Sequence, residues 1–279
     1  MMQFEKKRIL TALLLLAFST AIFIAGLRDG KAGNTENTGN IGHTDNTGTE
    51  QTTISDASAP APEPLEPSPS PAAGMAEQTD ESGRPAVDFD LLAAQNPDIY
   101  AWITIPGTAI DYPVLQKSGA QDPYDNYYLD HTADLSEGLP GAIYSQPVNR
   151  RDFTDPVTVL YGHNMKNGTM FGGLHAFADR DFFLEHTQVI IYTPEQTLTY
   201  EIFAAADFSD ALLPYEYDFT RTSEVQRYLG DVGKCEGNFR EETQIPEGAK
   251  ILTLSTCYSD REECRLLIQA VLTEEQAAE

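Results

Sequence analysis

The chain has 279 residues and carries 43 acidic against 18 basic side chains, a formal net charge of −25. Binding a phosphate backbone takes clustered Lys and Arg, so nucleic acid is excluded as a partner. Solubility is the plain reading of the acidity, which would also favour a cationic amine as substrate.

Lys6, Lys7 and Arg8 precede nineteen uncharged residues, Ile9 to Leu27, rich in Leu, Ile, Phe and Ala. About 20 apolar residues at about 1.5 Å each cross a bilayer. Basic residues before the span keep residues 1–8 in the cytoplasm and send the remainder outward. The expectation is a transmembrane anchor over 9–27, a single pass of the cell membrane. The competing reading is a cleaved signal peptide, whose apolar region is typically about 7 to 15 residues. Residues 28–86 are dominated by Asn, Thr, Gly, Ser and Pro, as in NTENTGNIGHTDNTGTEQTT and APEPLEPSPSP. Such a segment buries too little apolar surface to offset its ordering entropy, so it reads as a disordered tether.

Residues 87–279 have regular apolar content, enough for one domain with a sizeable core. Asp88 caps a predicted helix to Gln95, with Phe89, Leu92 and Ala93 on one side and Asn96-Pro97 as its stop. Strands follow at IYAWITI, AIDYPVL, GAIYS and VTVLYGHN, and QVIIYTPEQTLTYEIFAA reads as a hairpin. Thr220 to Val232 is helical, with Thr220 as its cap and Val225, Tyr228 and Leu229 in line. AKILTLSTC and RLLIQAVL close the chain as two strands around a seven-residue charged turn. Many short strands with helices at the start and before the last pair predict a mainly β, antiparallel barrel with helical insertions.

Of the three cysteines, Cys235, Cys257 and Cys264, an exported chain leaves at least one thiol unpaired. A buried cysteine is most often a small core residue. Cys257 differs because it ends an apolar strand and meets the polar turn YSDREE, at the rim of a sheet. A thiol near its reference pKa of about 8.5 needs a cationic or basic neighbour to act as nucleophile. Among five histidines, His43 lies in the tether, and His131, His175 and His186 lie in loop text read as exposed. His163 follows the strand VTVLY through one glycine and precedes a glycine-rich loop that can approach a ligand. Arg265 opens the last strand, so an antiparallel return would set it beside Cys257, where a guanidinium could hold an oxyanion. The plain alternative for Arg265 is a surface ion pair with Glu262 or Glu263, and Arg261, in mid-turn, is a less well fixed rival.

TLSTC (Thr253 to Cys257) with Arg265 after it and YGHNM (Tyr161 to Met165) before it resemble the signature of class B sortases. NPDIYAWITIPGTAIDYPVLQ, NYYLDH, YGHNMKNGTMFGGL and FFLEHTQVIIYTP extend the likeness over about residues 88–272. The resemblance implies a closed eight-stranded sortase barrel with an N-terminal helix and a helical insertion before the cysteine strand. It implies a membrane-anchored cysteine transpeptidase of Gram-positive bacteria that needs no cofactor. By likeness, Cys257 cleaves a surface protein's sorting signal after threonine and passes it as a thioester to an amine of a cell-wall precursor or a pilin. His163 would serve as acid and base and Arg265 as oxyanion donor, with Leu129, Tyr161 and Ser255 lining the substrate groove. Tyr258 departs from the acidic or small residue that many relatives carry after the cysteine.

Two rival classes remain at this level. A papain-like thiol peptidase would place its cysteine at a helix start and ahead of the histidine, against the order here. A non-enzymatic surface module would carry its own sorting tail, yet the chain ends VLTEEQAAE. No histidine falls at ligand spacing from Cys257 and Cys264, so no metal is expected. Whether Cys235 and Cys264 pair is not given by their positions in sequence.

Overall fold

The computed structural model describes residues 87–278, so the anchor expected at 9–27 and the tether at 28–86 lie outside the described residues. Among the described residues no helix is long and apolar enough to cross a membrane.

Helix α1 spans Phe89–Gln95, and the Asp88 side chain accepts from the Leu91 amide at 2.9 Å, as a cap must. Leu92 is its buried contact, whereas Phe89 is half-buried and Ala93 faces solvent. Strands β1 (Ile99–Thr104), β2 (Asp111–Leu115), β3 (Ile143–Ser145) and β4 (Val157–Tyr161) follow. After helix α2 (Arg180–Glu185) come β5 (Gln188–Tyr192), the long β6 (Gln196–Ser209), helices α3 (Leu213–Glu216) and α4 (Thr222–Val232), β7 (Gly237–Phe239), β8 (Ile251–Cys257) and β9 (Cys264–Ala277).

The strand order is β5-β1-β2-β3-β4-β8-β9-β6-β7, and β5 also pairs with β6. That pairing closes eight strands into a barrel and leaves the three-residue β7 as an addition to the outer half of β6. Closure removes the sheet edges that would otherwise stand unpaired.

The barrel is not purely antiparallel, since β2 runs parallel to β3 and β4 parallel to β8. Parallel neighbours need long crossovers, and both pairs have them, over residues 116–142 and 162–250. A string of short strands does not reveal which connection returns beside its origin and which crosses the barrel.

Thr220 does not cap α4, because its hydroxyl is given to Asp218 and Arg221 holds the cap position. The apolar line is as expected, with Tyr228 fully buried and Val225 and Leu229 half-buried. α2, α3 and β7 are too short to leave a period in the sequence.

Alternation on β8 and β9 sorts the core. Leu252, Leu254, Leu266 and Ile268 point into the barrel. Ile251, Leu267 and Val271 point outward with Val157 and Val159 of β4, where Leu213 of α3 and Tyr228 and Val232 of α4 cover them. Burying Tyr228 and Val232 contributes on the order of 1.5–3 kcal/mol for each side chain. Tyr228 also joins a closed polar triad. Gln269 Nε2 donates to its hydroxyl at 2.7 Å, Thr253 donates to Gln269 Oε1 at 3.0 Å, and the two hydroxyls lie 3.2 Å apart. The insertion is thereby pinned to the outer face of the strands that lead to Cys257.

Candidate active site

The site follows from register on three adjacent strands. β4 pairs with β8 in parallel up to Tyr161 opposite Ser255, and the Gly162 amide then donates to the Ser255 carbonyl at 3.2 Å. Thr256 Oγ1 donates to the Gly162 carbonyl at 2.8 Å, which holds the chain against β8 as it leaves the strand. His163 follows two residues after the end of β4, next to the Gly162 that is bonded to Ser255 and Thr256. On the other side, Cys257 is paired directly with Arg265. Cys257 and Arg265 thus face each other at one end of β8 and β9, His163 lies just past the end of the adjoining β4, and all three residues are half-buried.

Gly162 makes this approach possible. A Cβ there would lie 2.5 Å from Ile143 Cδ1 and 2.7 Å from Phe171 Cγ, closer than real contacts allow. A side chain at position 162 would require both neighbours to give way.

His163 Nε2 is 2.7 Å from the Leu129 carbonyl. A carbonyl only accepts, so Nε2 is the donor in this bond. Leu129 closes a 3-10 turn, Tyr127–Leu129, whose loop is braced from below. Gln146, fully buried, donates to Asn126 Oδ1 at 2.7 Å and to the Tyr124 carbonyl at 3.1 Å. Asn126 accepts from Tyr144 as well, at 3.2 Å.

Arg265 gives Nη1 to the carbonyls of Glu262 and Cys264, at 2.9 and 3.0 Å. Among the described residues no ion pair joins Arg265 to Glu262 or Glu263, and its bond to Glu262 goes to the backbone carbonyl. Both bonds to the turn come from Nη1 and neither from Nε or Nη2. Arg261, expected to be loosely placed, is instead fixed elsewhere. Its Nη1 lies 2.6 Å from Asp207 Oδ2 and its guanidinium covers the Tyr258 ring at 3.7 Å.

The three groove candidates differ in access. Leu129 is 43% exposed, Tyr161 is half-buried and Ser255 is 7% exposed. Burial pushes the Tyr161 hydroxyl well above its ordinary range, so it stays a neutral donor, and Tyr144 packs beside it with ring centres 5.4 Å apart.

Sequence reasoning missed His175, whose Nε2 is 3.1 Å from the Cys257 carbonyl. It is half-buried rather than exposed, as are His131, stacked on Tyr127, and His186, stacked on Phe182. Only the departure at Tyr258 pointed to this side of the site. All three cysteines are free thiols. Among the described residues no group of His, Cys, Asp or Glu could hold a metal ion.

A closed eight-stranded barrel thus carries Cys257 opposite Arg265 at the end of β8, with His163 just beyond the end of β4. The family model for the sortase domain matches residues 103–273. Sortase B of Listeria monocytogenes is 31% identical over 196 residues, covering 70% of this chain and 77% of that protein. Sortase B of Staphylococcus aureus is 27% identical over 169 residues, covering 61% and 67%. Among solved structures, Clostridium perfringens sortase B aligns with a TM-score of 0.60 at 28% identity, over 67% of this chain and all of that one. Sortase B from Bacillus anthracis, in complex with AAEK1, gives 0.59 at 28%, over 72% and 92%.

The chain belongs to the sortase family, and its relatives and structural neighbours are class B sortases. Membership brings a transpeptidase activity on sorting signals with amine nucleophiles, at the cell surface.

Proposed function

We propose that the protein is a membrane-anchored class B sortase in which Cys257 is the nucleophile, His163 the proton carrier and Arg265 the oxyanion donor. The observation that supports this reading is the pairing of Cys257 with Arg265 at the end of β8, with His163 following two residues after the end of the neighbouring β4. The Cys257 thiolate attacks the threonine carbonyl of a sorting signal near the C-terminus of a surface protein. The carbon–nitrogen bond breaks, the leaving amine takes a proton from the His163 imidazolium, and an acyl thioester remains on Cys257. An incoming amine gives its proton to the imidazole, attacks the thioester, and releases the thiolate and an isopeptide bond. Arg265 stabilises the oxyanion in both tetrahedral intermediates. Leu129 and Tyr161 line the groove for the signal, with Ser255 beneath them.

Residues 9–27 anchor the enzyme in the cell membrane with residues 1–8 cytoplasmic, and the tether at 28–86 lets the domain at 87–279 reach its substrates outside. The net charge of −25 favours a cationic acceptor, an amine of a cell-wall precursor or of a pilin. A class B sortase of Streptococcus pyogenes, 26% identical with a TM-score of 0.56, is described as involved in pilus biogenesis, which keeps a pilin amine among the acceptors.

The test uses the full chain in detergent, a sorting peptide, and two acceptor amines, one mimicking a cell-wall cross-bridge and one a pilin lysine. Intact mass should show a thioester adduct on wild type and none on Cys257→Ala, and His163→Ala should lose most turnover while keeping its melting temperature. Transfer retained by Cys257→Ala would overturn the mechanism. Cleavage without joining to either amine would make the enzyme a thiol hydrolase.

A further inference from the structure

β4 ends at Tyr161 while β8 continues to Cys257, so the last carbonyl of β8 has lost its strand neighbour on that side. His175 takes the place of that neighbour. Its Nε2 stands 3.1 Å from the Cys257 oxygen and must donate, because a carbonyl only accepts.

The histidine is held firmly enough to do this. It lies in a 3-10 run, Phe171–Ala178, with three residues per turn. That period sends Phe171, Leu174 and Phe177 together into the barrel, all fully buried, and fixes the backbone that carries the imidazole. The ring then meets Tyr258 edge-on, with centres 4.9 Å apart at 73°. Tyr258 is clamped in turn. Its hydroxyl donates to the Asp207 carboxylate, and Arg261 binds the other oxygen of that carboxylate and lies over the Tyr258 ring. Burial, with the Asp207 charge, raises the Tyr258 hydroxyl well above its ordinary range, so it remains a donor to Asp207. Asp207 itself is fixed on β6, opposite Leu266 beside Arg265.

We propose that His175 is a positioning residue for the thiol: it holds the carbonyl of Cys257 while the Tyr258–Asp207–Arg261 cluster holds its ring and the turn. A strand end bonded on one side only is free to rotate its last peptide, and that rotation would move Sγ relative to the Arg265 it faces. The inference rests on Cys257 being the nucleophile and names what orients it.

The experiment uses full-length His175→Phe, which keeps the ring volume and the Tyr258 contact but has no donor, and His175→Gln, whose amide returns a donor near the Nε2 position. Steady-state kinetics with a sorting peptide and amine are combined with the rate of Cys257 alkylation by iodoacetamide, scaled to the folded fraction. His175→Phe should lose about tenfold in kcat with KM within about twofold, and alkylation should slow in step. His175→Gln should recover most of both. Wild-type kcat in His175→Phe, equal impairment of the two variants, or a loss confined to KM would overturn the proposal. Cys257→Ala in the same assay separates the two levels. If it is active, the nucleophile is misassigned and this inference fails with it; if it is inert while His175→Phe is normal, only the positioning role fails.

Discussion

Replacing Arg265 by lysine keeps the charge beside Cys257 and removes the fork. A guanidinium carries five N–H donors. Nη1 uses both of its own on the Glu262 and Cys264 carbonyls, so Nε and Nη2 leave three for a substrate oxyanion. An ammonium has three donors on one nitrogen. If two stay with the turn carbonyls, a single donor remains and cannot form a pair of parallel bonds. The loss is then at least one charge-assisted hydrogen bond in the transition state, about 1.5–3 kcal/mol, or about 10- to 150-fold in kcat. Arg265→Met, which removes every donor, should lose about 10²- to 10³-fold. Initial rates with a fluorogenic sorting peptide and a saturating amine measure this, with melting temperatures confirming that both variants fold. Arg265→Lys within about twofold of wild-type kcat would refute the oxyanion role.

Two further substitutions test how the site is supported. At Gly141, where φ is +64°, a Cβ would lie 2.5 Å from the Leu129 carbonyl, the acceptor of the His163 proton. Gly141→Ala should therefore lower kcat several-fold, whereas Gly119→Ala, at φ +68° with nothing within 4 Å, imposes the same backbone strain and should leave kcat unchanged. Equal rates for the two would remove the Leu129 carbonyl from the account. Asp98, 4% exposed, accepts from the Ser118 amide at 2.9 Å and the Tyr128 hydroxyl at 2.8 Å, with Lys117 and Arg151 nearby. Burial pushes its pKa up, but the bonds from Ser118 and Tyr128 and the Lys117 charge outweigh it and hold the carboxyl below its usual range. A depressed folded pKa stabilises the fold above the unfolded value of about 3.9, and that contribution is lost as pH falls through the folded value. Asp98→Asn should cost about 2 kcal/mol at pH 7, about 4–8 °C in melting temperature, and the gap from wild type should narrow as pH drops below about 4. A gap independent of pH would show that the carboxylate charge contributes nothing.

What could be read from the chain was local. The Asp88 cap, the apolar stripe of α4 and the β-branched runs of β4 and β8 depend on contacts within a few residues, so spacing alone reveals them. An antiparallel return over a short turn is local as well, which is why Arg265 could be set opposite Cys257. The family motifs around His163 and Cys257 added the barrel and its closure. Long-range pairing was out of reach. The parallel union of β4 with β8 joins residues about 94 apart, as in the Thr256–Gly162 bond. The His175–Cys257 bond spans 82 positions and the Leu129–His163 bond 34. Asp207 carries no signal in its own surroundings that it will hold Tyr258 and Arg261. Those partners are chosen by the closure of the barrel, because only there do side chains distant in sequence face one another. The order of residues thus supplied the candidate groups, and the folding of remote segments onto one another chose the partners that hold each of them.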